Sequence, residues 1–115
     1  MPERLVVSTS GEVVGAPVRR ARTLMDRTRG LMGTRADSEG PLVFERVRQV
    51  HTFGMTYPID VIFCDAEWRV VQVVIDMKPR RVTKWVRHAR ITIELPSAAR
   101  RRHVAPGDVL ALEPY

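Results

Sequence analysis

Two apolar runs, IDVIFC at 59–64 and RVVQVVID at 69–76, are separated only by DAEW at 65–68. No other feature constrains the fold as much. Both runs are rich in β-branched residues, and a four-residue link is far too short for the crossover that parallel strands require. The two must therefore pair as an antiparallel hairpin. Neither run alternates apolar with polar residues, so both faces of the hairpin are expected to be covered.

The first of these runs emerges from an interrupted stretch, HTFGMTYPIDVIF at 51–63. Pro58 cannot donate a ladder hydrogen bond, and Gly54 tolerates backbone angles closed to other residues. The stretch reads as two pieces joined at a bend: a strand around Val50 to Phe53, then 59–64, with Gly54 and Pro58 bracketing the turn. Phe53, Met55, Tyr57 and Ile59 are expected to fill the core by alternation. Asp60, just past the proline, is expected to pin the bend by accepting backbone N–H bonds.

Elsewhere the chain supplies weaker signals. Leu5–Val7 and Glu12–Val14 flank the turn-forming Ser8–Gly11 and predict a hairpin. In TLMDRTRGLM at 23–32, Leu24, Met25, Thr28, Leu31 and Met32 share one helical face, with Thr23 and Asp26 placed to cap and Gly33 to stop it. LVFE at 42–45 starts a sheet, Lys84–Val86 reads as an edge strand, and Arg90–Leu95 as a strand with Ile91 and Ile93 alternating with Thr92 and Glu94. Pro96-Ser97 permits a second, short helical turn near 98–102, and Pro106-Gly107 is a type II turn signal delivering VLALE. The fold class expected is α+β: a compact single domain over residues 1–115, mostly antiparallel sheet or partial barrel, with one main helix at 23–32.

At 115 residues such a domain buries roughly two-thirds of its unfolded surface. The net charge of +6 and pI near 10.7 favour anionic partners. Seventeen of the nineteen basic residues are Arg, scattered except for Arg100–Arg102, which fits a compositional bias as well as phosphate binding. Cys64 is the only cysteine, which excludes a disulfide scaffold, and its apolar surroundings predict an inert packed thiol. No apolar run has the length of a signal core or of a membrane span, so a soluble cytoplasmic protein is expected.

No linear motif announces a reaction. CxxC, HExxH, GxGxxG, the P-loop and GxSxG are all absent, and the histidines and carboxylates match no metal-ligand spacing. His51 and Asp60, on either side of one bend, form the best acid-base pair, a base oriented by its carboxylate. The plainer reading makes Asp60 a bend-capping acceptor and His51 a wall residue. Trp68 and Trp85 could stack bases, but two isolated tryptophans are more often packing or hairpin-edge residues. RRRH at 100–103 reads as a solvated face.

Taken in order, RTRGLMGTR at 27–35, GPLVFE, HTFGMTYPIDVIFCD, RVVQVV, ARITIELPSAA and VAPGDVLAL resemble domain-of-unknown-function family 192, from about Arg19 to Glu113. The RGLM and HTFxMxxPIDVIF segments together carry the likeness. The resemblance implies a compact α+β domain dominated by antiparallel strands, and it brings no established activity, cofactor or catalytic residue. The resulting expectation is a small non-catalytic binding or accessory domain, with Arg29, His51, Met55 and Asp60 as its binding residues and the Arg29-Gly30 helix end bonded to Asp60. No metal and no cofactor is expected, and a protein is the expected partner. The alternatives are a small enzyme using His51 and Asp60, and a weak binder of nucleic acid or anionic surfaces.

Overall fold

The computed structural model describes residues 1–22, Gly30 and residues 40–115. Among the described residues eight strands follow in order: β1 Glu3–Val7, β2 Val13–Gly15, β3 Arg19–Arg20, β4 Leu42–Glu45, β5 Ile59–Cys64, β6 Val70–Met77, β7 Ile91–Pro96 and β8 Leu110–Pro114. They form a three-stranded sheet, β2-β1-β8, and a five-stranded sheet, β3-β4-β7-β5-β6. All pairings are antiparallel except β3 with β4.

The expected α+β class is corrected by this arrangement. Among the described residues the only helical element is a 3-10 turn, Ser97–Ala99, and the backbone bonds otherwise run between strands and through turns. The main helix read over 23–32 lies outside the described residues, apart from Gly30. The second helical turn, expected near 98–102, comes earlier and stops at Ala99. Arg100 is already extended (φ −68°, ψ 123°), and Arg101 donates its N–H to Val14 of β2, which draws the chain out of a helical path.

Local chemistry explains the hairpins. The Ser8–Gly11 turn closes as expected, with Gly11 at φ 74° and its N–H on the Val7 carbonyl. Strands β5 and β6 pair from Ile59↔Met77 to Cys64↔Val70. In their link, Asp65 Oδ1 accepts the N–H groups of Glu67 and Arg69, which holds the turn shut. Gly107 sits at φ 98° in the turn before β8, matching the Pro106-Gly107 signal.

All six residues of β5 are buried, and they alternate between its two faces. Ile62 and Cys64 join Leu5, Val14, Leu95 and Leu110 in a core between the two sheets. Ile59, Val61 and Phe63 face the other way, packing with Phe44, Val50, Met55 and Met77 under the 46–58 and 78–90 segments. Both faces of β5 are thus covered, which is why IDVIFC is apolar without interruption. Each large side chain so buried stabilises the fold by roughly 1.5–3 kcal/mol. Coverage of β6, the sheet edge, is only partial, contrary to expectation: Val73 packs on the inter-sheet core and Val71 and Val74 on the opposite one, but only Val70 and Met77 of its eight residues are buried. In the centre, β7 lies between β4 and β5, so all six residues are buried, Thr92 and Glu94 included. Thr92 Oγ1 donates to the Val47 carbonyl at 2.6 Å. Gly30 (φ 55°) lies against Glu94: a Cβ there would come within 2.7 Å of Oε1.

Residues 84–86 form no strand. Instead the 78–86 segment follows residues 48–52 as an irregular ladder, with bonds from Val86 N to Arg48 O, Thr83 N to Val50 O and Thr52 N to Arg81 O, and one bridge, His51↔Val82.

Candidate functional site

Asp60, the second residue of β5, lies opposite a bulge in β6, between the registers Ile59↔Met77 and Val61↔Val74. The bulge puts Asp76 at φ 52°, and its N–H turns onto Asp60 Oδ1 at 3.0 Å. Ser97 Oγ donates to the same oxygen at 2.7 Å, and Arg100 Nη1 donates to Oδ2 at 2.7 Å. Arg100 also reaches Asp76 Oδ1 at 3.4 Å. With 4% of the Asp60 side chain and 18% of the Arg100 side chain exposed, this is a mostly buried pair. The hydrogen bond to Asp60, followed by the charges of Asp60 and Asp76, raises the Arg100 pKa against the opposing effect of burial. Asp60 therefore accepts a backbone N–H, but from the β6 bulge and not from the 54–58 bend that it was expected to pin. The cation beside it is Arg100. Arg29, the partner expected for it, lies outside the described residues.

His51 occupies different ground. Its side chain is exposed, 5.6 Å from the Phe53 ring, and it is not among the donors to Asp60. The bonds flanking His51 and Val82 make them a non-hydrogen-bonded antiparallel pair, the kind whose side chains stand closest on one face. Val82 is 54% exposed and Phe53 52%, so Phe53 does not fill the core as the alternation predicted. The reason lies in the turn: Met55 N–H bonds the Thr52 carbonyl and Gly54 adopts φ 84°, reversing the chain so that Thr52 and Met55 point inward. Met55 is a core residue.

Sequence reasoning missed Thr52. Its side chain is fully buried, its hydroxyl donates to the Lys78 carbonyl at 2.7 Å and accepts the Arg81 N–H at 2.9 Å. It rivets the bend to the 78–81 turn. The available signal was its place between two residues that turn out to face solvent. Thr83 repeats the device, accepting the Val50 N–H on Oγ1 at 3.0 Å.

Between β6 and the 78–84 segment runs a groove of about 620 Å³. Val74, Ile75 and Val82 give it an apolar lining, and three cations, Lys78, Arg81 and Lys84, line it against one carboxylate, Asp76. The stretch KPRRVTKWVRHAR, 78–90, carries six Lys or Arg residues and no carboxylate. Trp85, within it, is 62% exposed. Among the described residues no three His, Cys, Asp or Glu side chains gather to hold a metal ion, and no helix is long and apolar enough to cross a membrane. Cys64 is fully buried, and burial first, then the Asp65 charge, pushes its thiol up to about 12.

Two solved structures share the fold. One is a protein of unknown function from Novosphingobium aromaticivorans DSM 12444, 21% identical, with a TM-score of 0.74, covering 96% of this chain and 84% of its own. The other, from Sinorhizobium meliloti 1021 and provisionally described as a transcription regulator, is 22% identical, with a TM-score of 0.74, covering 95% of this chain and 90% of its own. No curated protein matches the chain. The model of family DUF192, described as an uncharacterized ACR, matches residues 5–112, and the chain belongs to that family.

Proposed function

We propose that this chain is a non-catalytic binding domain that seats an acidic, partly apolar segment of a partner protein in the groove between β6 and residues 78–84. The carrying observation is the pairing of exposed apolar side chains, Ile75 at 45% and Val82 at 54%, with a neighbouring segment whose charge is entirely positive. Solvent-exposed apolar surface rimmed by polar residues marks an interaction site, and with three cations against Asp76 the excess charge on the rim is positive, so its ligand should carry the opposite sign. His51 and Phe53 extend this face through Val82. The commitment of Asp60 to Asp76, Ser97 and Arg100 supports a structural rather than an acid-base role.

A single-stranded nucleic acid is the competing occupant, favoured by exposed Trp85 and Phe53 among cations and by the provisional description of the Sinorhizobium protein as a transcription regulator. A labelled peptide of alternating Glu and Leu, a poly-Glu peptide and an oligo-dT strand, followed by fluorescence anisotropy over a salt series, separate the two. The alternating peptide should bind more tightly than poly-Glu, and Val82→Asp should remove that preference. Oligo-dT binding that is tighter than the peptide's and falls steeply with salt would transfer the site to nucleic acid. Equal affinity for both peptides would sink the groove as a protein-docking surface.

A further inference from the structure

A separate cleft of about 420 Å³ opens where β3, the end of β4 and the β5–β6 turn meet, and it shares no lining residue with the groove. Val43 and Ile91, 6% and 8% exposed, give it an apolar base. Trp68 lines it while its ring packs on the inter-sheet core. The guanidinium-bearing residues Arg20, Arg22 and Arg46 line it too, against a single carboxylate, Glu45. Arg20 is shared with Glu3 at 3.1 Å. Among the described residues no carboxylate pairs with Arg22 or Arg46.

The backbone singles out the same place. Among the described residues Arg46 and Trp68 are two of the four non-glycine positions with positive φ, at 62° and 64°, in a region that side chains with a Cβ enter only at an energetic cost. Both are held there by bonds on each side of the cleft: Arg46 N–H to the Arg90 carbonyl, Trp68 N–H to the Asp65 carbonyl, and Leu110 N–H to the Trp68 carbonyl. Glycine would occupy either position more easily, yet a large cation and a large ring stand there. Strained backbone of this kind concentrates where a side chain has to be aimed.

We infer that this cleft binds a small anion joined to a planar ring, of the nucleoside monophosphate class, with the ring against Trp68 over the Val43 and Ile91 base and the anionic group against Arg22 and Arg46. A planar indole offers a stacking surface to any base, while guanidinium donors match phosphate geometry. Glu45 would repel a second anionic group and accept a hydrogen bond from a ring amine or sugar hydroxyl, which restricts the ligand to one phosphate end. The volume lies within the range of small-molecule sites.

The test uses Trp85→Phe protein, in which Trp68 is the only tryptophan. Its emission is followed while AMP, adenosine and inorganic phosphate are added separately. Saturable quenching by AMP, at least about tenfold tighter than binding of adenosine or phosphate alone, is the expected result. Arg46→Gly and Arg22→Ala should each weaken AMP by about tenfold, the loss of one charged hydrogen bond. Arg46→Gly should also melt no lower than its parent, because glycine relieves the left-handed backbone; that readout separates lost binding from lost folding. Absence of saturable quenching at millimolar AMP, phosphate binding as tightly as AMP, or full affinity in Arg46→Gly would each overturn the assignment.

Discussion

Two regions bring polar chemistry to β5 and its approach, and they treat it in opposite ways. At the β5–β6 bulge, Asp60 is almost enclosed, and its two oxygens take hydrogen bonds from Asp76, Ser97 and Arg100. At the bend eight residues earlier, Thr52 turns inward and satisfies the backbone, while His51, Phe53 and Val82 face solvent beside a run of cations. Saturated polar groups hold a structure together and leave little to offer a ligand. A surface with apolar area and unneutralised charge gains from being covered. The signature stretch 51–63 thus contains an anchor and an interaction face as separate parts, joined by a turn.

If that division is sound, the largest effect of any substitution in the stretch should fall on Asp60. Asp60→Ala removes the acceptor for Arg100, Ser97 and the Asp76 N–H together, leaving a mostly buried guanidinium without its main counterion. Breaking such a pair by removing one partner typically costs about 3–5 kcal/mol. Urea unfolding should show a fall of that size, and Arg100→Met with Asp60→Leu in one chain should recover part of it. A loss under 1 kcal/mol for Asp60→Ala would place the anchor elsewhere.

Next comes Thr52. Thr52→Val keeps the shape but strips the Lys78 carbonyl of a donor and the Arg81 N–H of an acceptor, which should cost about 1–3 kcal/mol. Hydrogen exchange sharpens the comparison: the Thr83 and Val86 amides, which bond across to Val50 and Arg48, should lose protection before those of β5. Uniform loss across both would mean that bend and sheet open as one unit.

How much of this was legible in the residues depended on distance along the chain. The β5–β6 hairpin, the β1–β2 hairpin and the Pro106-Gly107 turn are written in neighbouring residues, and each formed where local chemistry placed it. The position of β7 was not so written. Thr92 and Glu94 look like an outward face by alternation, and only the pairing of β7 with both β4 and β5 buries them. The same holds for Asp60. The backbone N–H it accepts lies sixteen positions along the chain in the β6 bulge, and its cation lies forty positions along, after the 3-10 turn, so neither could be read from the bend. The basic groove is a third case, because the charge looked scattered until the fold laid residues 78–84 beside β6.

Cys64 gives a smaller effect with a definite sign. Its folded pKa is raised from 9.0 to about 12, so the native state holds the thiol proton over a range where the unfolded chain has released it. That contribution to stability is complete below pH 9 and is lost as pH climbs toward about 12. Cys64→Ala should therefore show a shallower decline in stability than the parent across that interval, whatever its stability at neutral pH. The native thiol should also resist iodoacetamide at pH 8 and react once urea unfolds the chain. Parallel declines would mean that the thiol is more open to water than its burial implies.

His51→Ala should do least to the fold and most to discriminate the two regions. The side chain is exposed and, among the described residues, its ring neighbour is Phe53 alone, so stability should change by less than about 0.5 kcal/mol. Binding is the contrasting readout. Removing the imidazole takes contact area from the face that His51 shares with Val82, so capture of the alternating Glu–Leu peptide should weaken by a few-fold, less than for Val82→Asp. Full retention of capture in His51→Ala would separate His51 from the interaction face.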